Sequence, residues 1–502
     1  MTAHTARWIG ASAFFLFALA GGGRVVGSDE VTMLELSRAM LHGGIAVPVG
    51  ATLDGPDGRH YTKNAAGQAV LALPWVAVAE FAAGALPFTE QRRVLAVRFV
   101  VSFFNAAVTA LLLAVFYLAV RALGVAVPGA LDATLMLGFT TPLWVYSKSF
   151  MAEPLQALGL LLALSGSARA ALGETRHTWW AGLGVLIAVS VKLSMLPLAL
   201  ACLLPLTMAR PITWPVPALM LVLALAGHLV YNQARFGTIL ETGYGAQATL
   251  AAYSTPILTG LYGLLISSGK GVMWFAPALW MGIPGWVALQ RAGAAHARIG
   301  LAITITCAVT LALYSMFEHW AGDGSFGPRY LVPLLPLAFV PVAFFLHEAG
   351  RWRRALMAII ATAGLAVQVG GVAVYFGAQM REAGDYPYTR ALNDPGFMHA
   401  SHFEPRSSPI LGHWRMLIRN TREHLDRKLP KLTGGQEADP RVGIGARDQQ
   451  ALLHALDFWW LYTIYAGVPP LPVVAGLLLL LSFVGWTALR MLVIADEEAR
   501  SP

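Results

Sequence analysis

Two adjacent carboxylates, Asp29 and Glu30, stand directly after the first apolar run, and the apolar residues that follow, from Val31 through Leu34 to Leu41, fall on one helical stripe. Such a stripe makes an interfacial helix with Asp29 at its start. A carboxylate held there, partly withdrawn from water, is suited to act as a general base on a hydroxyl. The plainer reading is a pair of loop-end acids; the helix that continues from them favours the chemical one. Six cations form a second pattern. Lys63, Arg98, Lys148, Lys192, Lys270 and Arg329 fall at the ends of apolar segments, where an ionisable side chain is costly to keep. Snorkelling to headgroups accounts for any one of them. As a set they make a basic pocket that suits a lipid phosphate, lysine acting as a point charge and arginine as a bidentate fork. The same pocket would stabilise a phosphate leaving group.

Other candidates are weaker. The stretch from Gly263 to Lys270 has the wrong spacing for a phosphate loop, and no Ser or Thr follows the lysine. His399, His402 and His413 lack regular ligand spacing. Glu318, His319 and Asp323 close a span, either reaching the pocket or marking its rim.

The elements that position these residues are membrane helices. Hydrophobic residues make up 57% of the 502 and charged residues only 12%, against roughly 25% charged in a soluble domain, so a water-facing surface of ordinary size is excluded. The net charge of +8 belongs to cytoplasmic loops and anionic substrates rather than nucleic acid, since no basic, aromatic-interleaved soluble domain is present. With only two thiols, Cys202 and Cys307, a structural zinc site is excluded, and their place in apolar segments speaks against a disulfide. Spans are expected near 8–26, 94–120, 128–147, 152–170, 178–208 (two short helices), 215–234, 272–290, 299–319, 330–350, 355–377 and 470–490. With the N-terminus inside, the turns carrying Arg121, Arg169, Arg176, Arg210, Arg291, Arg298, Arg351, Arg353, Arg354 and Arg490 are cytoplasmic. The apolar run after Arg7 has the form of a signal peptide ending at Ala18 to Ala20, and is read as an uncleaved first span. The stretch 66–86, with Pro74 and Glu80, is read as a membrane-associated helix within an outer loop. Three outer segments are long: 27–93, 235–271 and 378–457, the last with an amphipathic helix from Trp414 to Leu429. No internal repeat is visible, which argues against inverted-repeat transporters.

Several motifs, in order, resemble the GT-C glycosyltransferases, closest to the lipid A aminoarabinose transferases and protein O-mannosyltransferases. Asp29 and Glu30 ahead of Leu36, Ser37, Arg38, Ala39, Met40 and Leu41 resemble that family's first outer loop. Tyr61, Thr62, Lys63 and Asn64 match a loop whose lysine contacts the donor phosphate, and Arg98 matches an outer-loop arginine. Tyr146 to Pro154 matches the second outer loop, with Glu153 where relatives usually carry Asp. Ser190 to Pro197, including Lys192, is similar to a Thr-Lys motif; Gly243 with Tyr244, Ser268 to Gly271, Phe326 to Pro333 and Asp457 to Trp460 resemble a bacterial branch.

The resemblance implies an all-α polytopic membrane protein, a GT-C-like bundle of about 12 transmembrane helices with long outer loops carrying interfacial helices. Residues 1–377 would form the catalytic core with outer loops 27–93 and 235–271, 378–457 an outer-face segment, and 458–502 the last span and a cytoplasmic tail. It implies a polyprenyl-phosphate-sugar donor and a lipid, polysaccharide or protein acceptor, with the active site on the non-cytoplasmic face of the plasma membrane. Asp29, Glu30 and Glu153 would be catalytic; Lys63, Arg98, Lys192, Lys270 and Arg329 would bind the donor phosphate; Tyr61, Lys148, Tyr244 and Tyr330 would bind acceptor or sugar. A divalent ion on Glu30 and Glu153, as in some relatives, is left open. A flippase of lipid-linked saccharides and an outer-face polymerase or ligase using a pyrophosphate-linked chain are the alternatives.

Overall fold

The structure, a computed structural model, describes the chain except residues 48–51, 348, 387–389, 392, 393, 395, 434–437, 440–443, 501 and 502. Among the described residues it is helical, with two short antiparallel ribbons that pair Thr52–Asp54 with His60–Thr62 and Ala438–Asp439 with Ile444–Gly445. The helices that matter here are α1 (Thr2–Ala20), α2 (Ser28–Leu41), α3 (Gly67–Gly84), α4 (Glu90–Val101), α5 (Phe104–Ala122), α6 (Val127–Phe139), α7 (Glu153–Ala171) and α8 (Thr178–Val191). They are followed by α9 (Pro215–Phe236), α10 (Ala294–Met316), α11 (Leu335–Leu346), α12 (Arg351–Ala373), α13 (Pro409–Leu425) and α14 (Pro470–Arg500).

Among the described residues seven helices are long and apolar enough to cross a membrane, which makes this a multi-pass membrane protein: Gly67–Gly84, Glu90–Ala122, Pro211–Phe236, Ala294–Met316, Arg329–Leu346, Arg351–Ala373 and Pro470–Arg500. That is fewer than the sequence pattern led us to expect. His4 and Arg7 dilute α1, and Glu153, Gln156 and Arg169 dilute α7. Helix α6 is short, and the stretch 272–290 breaks into Val272–Phe275, a 3-10 turn and Gly282–Arg291. Helix α3, read as interfacial from its Pro74 and Glu80, meets the length and apolarity of a span. It packs on α2 and α4, and Arg38 neutralises Glu80 at 2.7 Å.

Helix α7 is buried on nearly every face and forms the centre of the bundle. Glycines let α8 lie against it: a Cβ on Gly166 would come within 2.3 Å of the Ala181 nitrogen, and one on Gly184 within 2.2 Å of the Ala163 nitrogen. Close backbone approach through small residues is how helices pack where the surroundings are as apolar as the side chains.

The two ends of the bundle differ chemically. At one end, Glu498 of α14 accepts hydrogen bonds from Thr2, Thr5, Tyr117 and Arg121. His296 and His347 contact backbone atoms of Leu123 and Ala126 nearby. Helix α5 runs from there to the other end, where Asn105 binds the carbonyls of Ser149 and Met151. The starts of α2 and α7 lie at that second end.

Candidate active site

Asp29 and Glu30 sit in the first turn of α2, and consecutive helical residues point in different directions, so the pair divides its work. Asp29 opens onto a cavity of about 260 Å³, together with Lys63, Asp323, Arg329, Tyr375 and Arg381. Glu30 turns inward, is buried, and accepts the Phe150 N–H at 2.8 Å.

Arg329 joins the two remaining acids. Its Nε donates to Glu153 Oε1 at 2.6 Å and its Nη2 to Asp29 Oδ2 at 3.2 Å. Glu153 lies deeper, with its side chain 3% exposed against 31% for Asp29. The second carboxylate oxygen of Glu153, Oε2, is buried without a protein partner. The loop before Arg329 reaches this position through two left-handed residues, Gly322 (φ 70°) and Asp323 (φ 52°).

The surroundings drive the two α2 carboxyls apart. Burial pushes Asp29 up, but Arg329 and Lys63 outweigh it and hold the group below the usual carboxylate range. Burial pushes Glu30 up to about 7, against the Phe150 N–H and the charge of Arg24. Asp29 is therefore ionised at neutral pH, and Glu30 titrates there.

Beside the cavity lies an aromatic wall with two cations. Tyr314 and Tyr330 stack at 4.1 Å. Lys192 Nζ lies 5.1 Å from the Tyr330 ring and 5.6 Å from the Tyr314 ring. Lys63 Nζ lies 5.8 Å from the ring of Tyr244, which also feels the charges of Lys192 and Asp29. Such cation–ring contacts orient an ammonium without neutralising it.

Behind Glu30, Arg24 and Lys148 both bind Asp457, at 2.5 and 3.0 Å, and Tyr462 donates to the same carboxylate at 2.8 Å. Arg24 stacks over Tyr375 and Tyr462. These groups border a small chamber of about 40 Å³.

Four expected site residues lie elsewhere or serve otherwise. Arg98 does not line the cavity; it faces Glu35 and Arg38 along α2. Tyr61 packs on Phe236 and donates to Asp57 at 2.7 Å within the ribbon turn. Lys270 gives its ammonium protons to the Asp323 and Ser325 carbonyls at 3.0 and 2.8 Å, so it holds the loop under Arg329. Lys148 likewise binds the Val372 and Asp457 carbonyls. The physical reason is common to both lysines: a buried ammonium must find acceptors, and irregular backbone beside it supplies them. Glu30 and Glu153, considered for a divalent ion, turn to Phe150 and Arg329. Among the described residues, no three His, Cys, Asp or Glu side chains converge as a metal site.

Arg24, Arg381 and Tyr375 were not singled out in the sequence. Arg24 and Arg381 obey the rule that selected the six cations, since each follows an apolar segment, and that rule could have found them.

No family model matches the chain, and no curated protein matches it. Among solved structures, the Archaeoglobus fulgidus oligosaccharyltransferase, a crystal structure in the apo form, is similar with a TM-score of 0.43 and 12% identity. The similarity covers 83% of this chain and 63% of that one.

Proposed function

We propose that the protein is a GT-C glycosyltransferase that moves a sugar from a polyprenyl-phosphate donor to an acceptor hydroxyl at the non-cytoplasmic face of the membrane. One observation carries the reading: a half-buried, ionised Asp29 shares a cavity with Lys63 and Arg329, at the end of the bundle opposite the Arg121 turn. The acid can receive a proton, and the cations can hold the phosphate that leaves.

The reaction is a single displacement. The acceptor oxygen bonds to the anomeric carbon as the bond from that carbon to the phosphate oxygen breaks, and the anomeric centre inverts. The electron pair of the broken bond stays on the phosphate, whose charge Lys63 and Arg329 offset. Asp29 takes the hydroxyl proton. A carboxylate of low proton affinity suffices if transfer comes late, when the attacking oxygen already carries positive charge. Arg329 fixes Asp29 and Glu153 relative to one another, and a pre-set base is worth more than a mobile one. Positive charge on the sugar ring in the transition state would be met by the same two carboxylates.

The test uses the purified full chain in proteoliposomes with a panel of short-chain polyprenyl-phosphate sugars. The expected result is release of polyprenyl phosphate together with an inverted glycoside. Movement of the intact lipid-linked saccharide across the bilayer without cleavage would overturn the reading in favour of a flippase.

A further inference from the structure

Helix α13 presents a face that the transfer reaction does not use. Leu411, Arg415, Ile418, Arg422 and Leu425 recur at alternating spacings of four and three residues, so they share one side of the helix. The other side, with Gly412, His413, Met416 and Asn420, is buried. Along the outward side Leu411, Ile418 and Leu425 are 50%, 48% and 79% exposed.

The arginines divide in the same way. Arg419, facing inward, pairs with Glu382 and donates to the Leu453 carbonyl. Among the described residues Arg415 donates only to the Arg406 carbonyl, at 3.2 Å. Among the described residues no carboxylate lies within ion-pair distance of Arg415 or Arg422. The outward stripe is thus apolar and cationic, with no carboxylate among the described residues to neutralise it.

The seat of the helix fixes its depth. The Trp414 indole donates to the Ala366 carbonyl of α12 at 3.0 Å, and its ring lies against Gly370. At 1.5 Å per residue, Ala366 and Gly370 lie about 22 and 28 Å along α12 from Arg351, and a hydrocarbon core is about 30 Å thick. The second turn of α13, which carries His413 and Trp414, is therefore held near the far border of the acyl layer. The lipid-facing side of α12, with Ile359 and Leu365 exposed, continues into it.

We propose that α13 is a lipid-binding helix, in which Leu411, Ile418 and Leu425 enter the boundary between headgroups and acyl chains while Arg415 and Arg422 take the phosphates of anionic phospholipids. Interleaved apolar and basic residues suit that boundary, because long side chains reach headgroups from an immersed backbone. The inference stands whether or not the protein transfers sugars.

The test places a bimane label at Ile418→Cys in the full-length chain, with Cys202→Ala and Cys307→Ala, reconstituted in phosphatidylcholine alone or mixed with phosphatidylglycerol. Acyl-brominated lipid should quench the label and aqueous iodide should not. Brominated phosphatidylglycerol should quench more than brominated phosphatidylcholine, with a site preference of roughly fivefold for each arginine that reaches a phosphate. Arg415→Gln with Arg422→Gln should bring the two lipids to parity. Full quenching by iodide would put the helix in water and overturn the proposal. Immersion with no lipid preference in the unsubstituted helix would overturn the headgroup recognition. Protection from both quenchers would show that protein covers the stripe, and would overturn it as well.

Discussion

Asp29 and Glu30 are neighbours in sequence with opposite surroundings, and each makes a distinct prediction. Asp29→Asn keeps the shape and the reach to Arg329 but cannot take a proton. Loss of a general base typically lowers turnover by about 100- to 10,000-fold, so we expect that deficit in kcat with donor affinity and thermal stability retained. Because Arg329 and Lys63 hold Asp29 below the usual carboxylate range, the acid limb of the wild-type rate profile should fall at correspondingly low pH. A limb centred near 7 would instead mark Glu30 as the base, and Asp29 would lose that role. Glu30 is tested through stability. In the folded chain it keeps its proton up to about 7, whereas unfolded it releases it near 4.5. The folded state binds more protons over that interval, so stability falls as pH rises through it and levels off above the folded value. Glu30→Gln keeps an oxygen for the Phe150 N–H and carries no charge. Its melting temperature should exceed that of the wild type at about pH 8 and approach it near pH 5; parallel curves would mean that Glu30 is ionised throughout.

At the scale of elements, the site depends on one loop as much as on any helix. Residues 322–328 carry Arg329 to the point between α2 and α7, and Lys270 ties that loop through the Asp323 and Ser325 carbonyls. Gly322 has φ 70°, and a Cβ there would stand 2.9 Å from Arg329 Cβ. Gly322→Ala should therefore cost about 1–2 kcal/mol for the left-handed backbone and displace Arg329 from its two carboxylates. We expect a lower melting temperature in detergent and a fall in kcat larger than the stability loss explains. Unchanged kcat at equal folded fraction would show that Arg329 is not held by this loop.

Across the whole molecule, charge is sorted between two ends. The Glu498 cluster clasps α1, α5 and α14 together at one of them, and the cavity lies at the other. The arginine-bearing turns support the proposed sidedness, with the cavity outside, because positive residues favour the cytoplasmic face. In intact cells an impermeant thiol reagent should label Arg59→Cys, in the exposed turn near the cavity, and spare Trp352→Cys, beside Arg351 and Arg353 at the other end. The reverse pattern would put the cavity in the cytoplasm, where no polyprenyl donor of the proposed kind would meet it from the outer leaflet.

Hydropathy and charge spacing are properties of a chain in a bilayer before any tertiary contact forms, so the sequence alone determined that this protein is multi-pass and helical. The same reasoning exposed Asp29, Lys63, Lys192 and Arg329, because a charge at the edge of an apolar run is costly wherever the helix packs. The amphipathic stretch ahead of Leu429 was legible for a similar reason, its period being local. Which cations share a cavity was not legible. Arg98 and Lys270 satisfy the same rule as Lys63, yet one lies along α2 beside Glu35 and the other is spent on two carbonyls, since a buried charge takes whichever acceptors the fold brings near. Glu153 was legible as part of the Tyr146 to Pro154 motif, but not its link to Asp29 through Arg329, 176 residues away in sequence. The division of labour between Asp29 and Glu30 likewise came only with packing, for their identical chemistry diverges solely through what surrounds each carboxyl.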